Sequence, residues 1–148
     1  MGKSKSIMRK QGKDETEMFL QQKNLDKPVE PFVQVPATAG ESYTPGEVLT
    51  MTNGAATKCS GATVPVYICQ KTLAEAADGD LLDCTVVNAQ QELEVPLSAD
   101  GTALKVGNKV TIGADGLTVT ATTTSGVFFI TEILGTAVGD MVRGYFMR

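Results

Sequence analysis

Carboxylates are the side chains of this 148-residue chain best suited to acid–base chemistry, because the sequence contains no histidine. Without histidine, the commonest general base and metal ligand is missing, and so is every Ser-His or Cys-His nucleophile arrangement. The candidate carboxylate pairs are Glu92 with Glu94 and Asp78 with Asp80, each with i, i+2 spacing. On a strand this spacing puts both carboxylates on one face. The first pair alternates with apolar residues, so the pattern predicts the solvent-exposed face of a strand rather than a catalytic pair.

The other residues with chemical potential do not form a recognised site. Asp78 and Asp80 flank a glycine in a turn, which supplies fewer oxygens than a calcium loop needs. Cys59, Cys69 and Cys84 lack metal-ligand spacing, and we expect three reduced, half-buried thiols in strands. No glycine cluster has the spacing of a phosphate-binding loop. The sequence therefore predicts no catalytic residue, no metal and no cofactor, although a carboxylate-only enzyme stays open as an alternative.

Charge is distributed unevenly along the chain. The net charge is −4, yet residues 28–148 carry six basic and thirteen acidic side chains, a sum of −7. Residues 1–13 contain no acid and five basic residues: Lys3, Lys5, Arg9, Lys10 and Lys13. An acidic body repels nucleic acid, while the basic front end favours an acidic protein surface. No early apolar run exceeds three residues, so we expect neither a secreted nor a membrane protein, and synthesis in a reducing cytoplasm.

The elements that would position these residues change in character near residue 28. Residues 14–25 predict a short helix, with Met18, Phe19 and Leu25 as its apolar anchors. Three prolines between residues 28 and 36 favour an extended segment that lies flat as an arm or an edge. The chain thus divides into an extended N-terminal arm at 1–39 and a β body at 40–148.

Beyond residue 40 the pattern is β throughout, with short runs rich in Val, Ile and Thr. Asn53-Gly54 and Asp115-Gly116 are the strongest hairpin turns, and residues 71–80 favour one helical turn. Phe128 and Phe129 are adjacent, so one should point inward and the other outward. The predicted strands are Glu47–Thr52, Lys58–Cys59, Val64–Gln70, Leu81–Val87, Glu92–Pro96, Lys109–Ile112, Leu117–Thr120, Val127–Ile133 and Met141–Phe146.

Four stretches share the order glycine, polar residue, apolar strand: residues 44–54, 78–88, 105–116 and 138–148. At each one the glycine should allow a sharp turn, and the next Val or Leu should point inward to start a strand. Repeated four times, turns of this kind mark the corners of a small closed or nearly closed barrel. The predicted fold class is all-β, a small β-barrel or a compact β-sandwich with an extended N-terminal arm.

Two stretches carry a resemblance to a known family: YTPGEVLTMTNGAATKCSGATVPVYICQKTL at 43–73 and VGNKVTIGADGLTVTATTTSGVFFITEILGTAVGDMVRGYF at 106–146. They resemble the small head decoration, or capsid cement, proteins of tailed bacteriophages, over about residues 40–147. The resemblance implies a structural virion protein that sits on the outer capsid surface, commonly as a homo-trimer. Its implied role is to bind the major capsid protein and hold neighbouring capsid subunits together.

The arm would then supply a capsid-binding segment that becomes ordered on its partner. Its basic residues would meet acidic capsid surface, and its apolar residues would act as anchors: Met18, Phe19, Leu25, Val29, Phe32, Val33 and Val35. We expect neither nucleic acid nor a membrane as partner. The alternatives are another structural virion subunit, of the tail-tube or head-completion kind, and a non-enzymatic β-barrel module that binds a small ligand or nucleic acid.

Overall fold

Two five-stranded antiparallel sheets make up the computed structural model, which describes residues 19–24 and 32–147. The first sheet has the strand order β1-β7-β10-β9-β8 and the second β2-β6-β5-β3-β4. Within the described residues there is no helix. The strands are β1 (Leu20–Asn24), β2 (Val33–Pro36), β3 (Val48–Thr52), β4 (Ala55–Lys58), β5 (Tyr67–Cys69), β6 (Leu81–Val86), β7 (Gln91–Pro96), β8 (Lys109–Val110), β9 (Phe128–Ile133) and β10 (Met141–Phe146).

The main core lies between the two sheets, and a second, smaller core lies on the outer face of the second sheet. Neighbouring residues of β3 serve different cores, because Val48 belongs to the main cluster and Leu49 to the second one. Tyr43 closes the second core by donating its hydroxyl to the Ala56 carbonyl at 2.7 Å. Within the described residues the two sheets remain separate and neither closes into a barrel, although a single bridge joins Ala37, directly after β2, to Ala56 of β4. The prediction of a compact sandwich is therefore confirmed, and the barrel alternative is wrong.

The four glycine-containing repeats form one kind of turn, at residues 44–47, 77–80, 105–108 and 137–140. In each turn the fourth residue donates its N–H to the first carbonyl at 2.9 to 3.2 Å, and the glycine in third place has a φ of 90° to 97°. These are the features of a type II turn, which requires positive φ at the third position. The polar side chain in fourth place also accepts the N–H of the first residue. The four acceptors are Glu47, Asp80, Asn108 and Asp140, at 3.2, 2.9, 2.8 and 3.0 Å respectively.

The repeated polar residue therefore closes the turn from its side chain as well as from its backbone. The next Val or Leu is buried after three of the turns, at Val48, Val110 and Val142. After the remaining turn, at residues 77–80, Leu81 is exposed and Leu82 is buried in the core instead. The prediction that this residue points inward is thus right at three turns and wrong at one.

The two predicted hairpin turns have different outcomes. Asn53 and Gly54 both have positive φ and join β3 to β4 as a two-residue turn, as expected for type I′. At the second site only Gly116 has positive φ, and the Asp115 carboxylate accepts the N–H of Leu117 at 2.9 Å. The residues that follow, 117–120, make only isolated bridges through Val119, so the strand predicted there is wrong.

The other predicted strands are present with shifted ends, and the helical turn predicted at 71–80 is absent. Leu73 instead bridges to Tyr43 in the cover of the second core. Phe128 is fully buried, while Phe129 lies on the outer face of the first sheet and stacks on Tyr145 with 5.2 Å between ring centroids. The prediction that the two phenylalanines point in opposite directions is confirmed.

The helix predicted over residues 14–25 is wrong where the structure describes that segment, because Leu20–Asn24 is strand β1. β1 pairs with the free edge of β7, which provides backbone partners that an isolated short helix cannot match. The other positions of that prediction lie outside the described residues. β2 is an edge strand of the second sheet, in keeping with the flat edge that the prolines predict, and it pairs with β6.

Candidate functional site

One end of the sandwich gathers the four type II turns and the start of β1. β8 and β10 both run antiparallel to β9, and β1 and β10 both run antiparallel to β7, so β1, β8 and β10 start at the same end. In the second sheet β3 and β6 both run antiparallel to β5, so they also start together. The Phe19 N–H donates to the Gly46 carbonyl at 3.1 Å and joins the two sheets here. We call this region the turn end: residues 44–47, 77–80, 105–108, 134–140 and Phe19.

Three large apolar side chains are exposed at the turn end. Val106 and Val138 are 62% and 66% exposed, and each occupies the second position of its turn. Leu134, which directly follows β9, is 49% exposed. The second position of a type II turn favours proline and has no need of valine, so the fold itself does not require these side chains. All three belong to the turn end, so each is a candidate contact residue for a partner.

Phe19 fixes the start of β1 to the main core. It is only 3% exposed, and its ring lies 5.8 Å from the ring of Phe128 and 5.3 Å from that of Phe146, measured between centroids. Phe128 and Phe146 are themselves 5.2 Å apart in an edge-to-face arrangement. Such aromatic pairs are favourable beyond the burial of their area. Phe19 thus belongs to the core of its own body and cannot anchor a capsid in this conformation.

Most of the described arm residues are also used by the body itself. Val35 is buried in the second core, and the half-buried Val33 packs against it. Among the described residues of the predicted capsid-binding set, Phe32 remains in solvent, at 60% exposure. The other predicted capsid-binding residues lie outside the described residues: Lys3, Lys5, Arg9, Lys10, Lys13, Met18, Leu25 and Val29.

Glu47 is the carboxylate with the most unusual surroundings at the turn end. It is buried, and no hydrogen-bond partner accompanies its Oε2 atom, while Oε1 accepts the Thr44 N–H. Burial raises the pKa of Glu47 to about 6; Lys58 opposes this shift and Glu41 adds to it. The corresponding residues of the other three turns are shorter side chains near solvent. The sequence offered one signal of the difference, since only this turn has Glu in fourth place.

The two members of each carboxylate pair predicted from spacing have different surroundings. Glu94 is buried, against the prediction of a solvent-exposed face, because Arg143 on the neighbouring strand covers it with Nε 3.4 Å from Oε1. Glu92 instead accepts a hydrogen bond from Thr131 at 3.2 Å. Asp80 closes its turn, and Asp78 is exposed. Among the residues that the structure describes, no three Cys, Asp or Glu side chains are grouped to hold a metal ion.

The three thiols are buried rather than half-buried, and each is free. Cys69 and Cys84 lie in strands, as predicted, whereas Cys59 lies in the segment that follows β4. In the part of the chain covered by the structure, no helix is long and apolar enough to cross a membrane.

Comparison with known proteins gives one informative result. No family model matches the chain, and no curated protein matches it. Among solved structures, the chain is similar to the N base of head fiber gp8.5 of bacteriophage phi29, with a TM-score of 0.54 and 21% sequence identity. The match covers 78% of this chain and 94% of the phage chain. The two proteins therefore share a fold.

Proposed function

We propose that this chain is a structural protein of a phage virion that binds the outer surface of the head and does so without catalysis. The observation that carries the proposal is the fold it shares with a phage head fiber base, over nearly the whole of that chain. The turn end supplies a contact surface of the expected kind, with three exposed apolar side chains that the fold does not need. The partner is the major capsid protein.

Charge supports the same end of the molecule as the binding face. Residues 1–13 carry five basic side chains and no acid, and the covalent chain brings them to the body at Phe19, within the turn end. A basic segment steers a protein towards an acidic surface and does so less strongly as salt is added. The apolar rim formed by Val106, Leu134 and Val138 then provides contacts that salt does not weaken. Nucleic acid is a poor partner for the acidic body.

The finer role that we propose is cementing, in which a homo-trimer of this chain bridges neighbouring capsid subunits and stabilises the head. The second candidate is the base of a projecting fiber, and it is favoured by the likeness to the phi29 head fiber base. The two roles differ in one measurable property. A cement protein should raise the temperature at which heads disrupt, whereas a fiber base should bind without changing that temperature.

The test is co-sedimentation of the protein with purified heads. A variant that lacks residues 1–18 keeps Phe19, β1 and β2, so it separates the binding segment from the folded body. We expect it to fold with an unchanged circular dichroism spectrum and to bind heads at least tenfold more weakly, about 1.4 kcal/mol. Equal binding by this variant would remove the leading segment from the proposal.

The apolar rim has its own matched test. Val106→Asp and Val138→Asp place a charge at turn positions that are open to solvent, and both should weaken head binding without loss of stability. Met51→Asp is the control, because Met51 is also an exposed apolar residue but lies towards the end of β3, away from the turn end. If Met51→Asp weakened binding as much as the other two, the turn end would not be the binding face.

A further inference from the structure

Cys69 and Cys84 face each other directly across two neighbouring strands. They are register partners in the antiparallel pair β5 and β6. The Val87 N–H bonds to the Val66 carbonyl and the Gln70 N–H to the Asp83 carbonyl, so these flanking pairs are the hydrogen-bonded ones. Alternation then makes Cys69 and Cys84 a non-hydrogen-bonded pair, the kind in which opposite side chains come closest. Residues in such a pair typically have Cα atoms about 4.5 Å apart, which lies within the range that a disulfide spans.

The two thiols influence each other's titration: the neighbouring thiol lowers the pKa of Cys69 and raises the pKa of Cys84. The Cys69 sulfur also donates to the Lys71 carbonyl at 3.1 Å and accepts the Lys71 N–H at 3.4 Å. Cys84 is therefore the thiol that keeps its proton, and Cys69 is the one that more readily becomes a thiolate.

We propose that Cys69 and Cys84 form a reversible disulfide site, which a small-molecule disulfide such as glutathione disulfide closes and a thiol opens. The Cys69 thiolate attacks one sulfur of the oxidant, which forms a mixed disulfide and releases one glutathione. Cys84 then loses its proton and attacks the Cys69 sulfur, which releases the second glutathione. The protein loses two electrons and two protons, and the oxidant gains both.

Access to this site runs through the edge of the second sheet. Both cysteines are fully buried, and the partner of Cys84 on its other side is Val33 of edge strand β2. β2 is four residues long and ends at Pro36. Short edge strands open more easily than central ones. The oxidant must wait for β2 to open, so the site should react slowly in the folded protein and quickly during folding.

Cys59 provides an internal control. It belongs to the main core, donates to the Thr63 carbonyl at 3.2 Å, and burial raises its pKa to about 11. Neither of the other two cysteines belongs to that core. Cys59 should therefore stay a thiol under conditions that oxidise Cys69 and Cys84.

The experiment uses the full chain, refolded from denaturant in glutathione buffers of increasing disulfide-to-thiol ratio so that burial does not limit access. After denaturation and alkylation, we expect one alkylated cysteine instead of three and a mass loss of about 2 Da before alkylation. Peptide mapping should find Cys69 linked to Cys84. The Cys59→Ser variant should still oxidise, whereas Cys69→Ser and Cys84→Ser should each abolish the mass loss.

Closing a ring of roughly 15 residues should raise Tm by up to about 10 °C relative to the reduced protein. Added thiol should reverse the shift. Three alkylated cysteines at every ratio, a link that involves Cys59, or a link between two chains would each overturn the proposal. Oxidation in the folded protein at the same rate as in the unfolded one would overturn the gating by β2 but leave the pair itself in place.

Discussion

Replacement of Phe19 by alanine tests whether the leading segment is part of the body. Phe19 is 3% exposed and packs against the rings of Phe128 and Phe146, which also contact each other. Truncation of a buried phenylalanine removes its transfer free energy and leaves a cavity, which typically costs 3–5 kcal/mol. The segment can also detach by itself, and detachment limits the loss to the free energy that holds β1 in place. We therefore expect Phe19→Ala to lower the free energy of unfolding by about 3 kcal/mol.

Urea unfolding followed by far-ultraviolet circular dichroism measures this change, because the chain has no tryptophan to report by fluorescence. Phe32→Ala is the matched control: Phe32 is the same residue type, lies next to a strand and is 60% exposed, so its loss should cost less than about 0.5 kcal/mol. A variant that lacks residues 1–24 sets the upper limit. If Phe19→Ala and Phe32→Ala had equal, small effects, the aromatic cluster described here would not exist in solution and the leading segment would be a free arm.

Two further changes test electrostatic features of the body. Burial raises the pKa of Glu47 to about 6 from its ordinary value of 4.5. The stabilising effect of the protonated side chain is therefore fully present below pH 4.5 and is lost as pH rises through 6, so the free energy of unfolding should fall by about 2 kcal/mol over this window. Glu47→Gln should abolish that fall when Tm is followed from pH 4 to 8, and an unchanged pH profile would contradict the assignment. Arg143→Met leaves the buried carboxylate of Glu94 without its guanidinium and should lower the free energy of unfolding in urea by about 1–3 kcal/mol. Glu132→Gln changes the exposed partner of the same arginine and should lower it by less than about 0.5 kcal/mol. Equal losses from the two variants would show that burial of Glu94 does not matter.

The head-binding proposal and the disulfide proposal can fail separately. Head binding depends on the turn end and the leading segment, whereas the disulfide lies in the second core, on the outer face of the other sheet. A failure of co-sedimentation would leave the chemistry of Cys69 and Cys84 unaffected. A failure to oxidise would leave the binding face unaffected.

Local pattern was enough to predict the strands and the repeated turns of the body. Alternation of apolar residues and β-branched composition identified most strands, and positive φ at glycine is a property of single residues that neighbours barely alter. Asn53-Gly54 shows this, since the dipeptide alone specifies a turn that joins two strands. The opposite directions of Phe128 and Phe129 follow from the same period of two.

Only the tertiary structure decided what the leading segment does and which carboxylates are buried. Residues 20–24 have weak helical preference. They form a strand because they pair with the free edge of β7 and because the preceding Phe19 packs against Phe128 and Phe146. Glu94 has the pattern of an exposed residue, yet Arg143, 49 positions along the chain, covers it. Strand neighbours that are distant in sequence leave no local signal, so neither the pairing of Cys69 with Cys84 nor the gathering of four turns at one end could be foreseen. The local sequence determines which residues can form turns and strands. The pairing of strands that are distant in sequence determines which side chains come into contact.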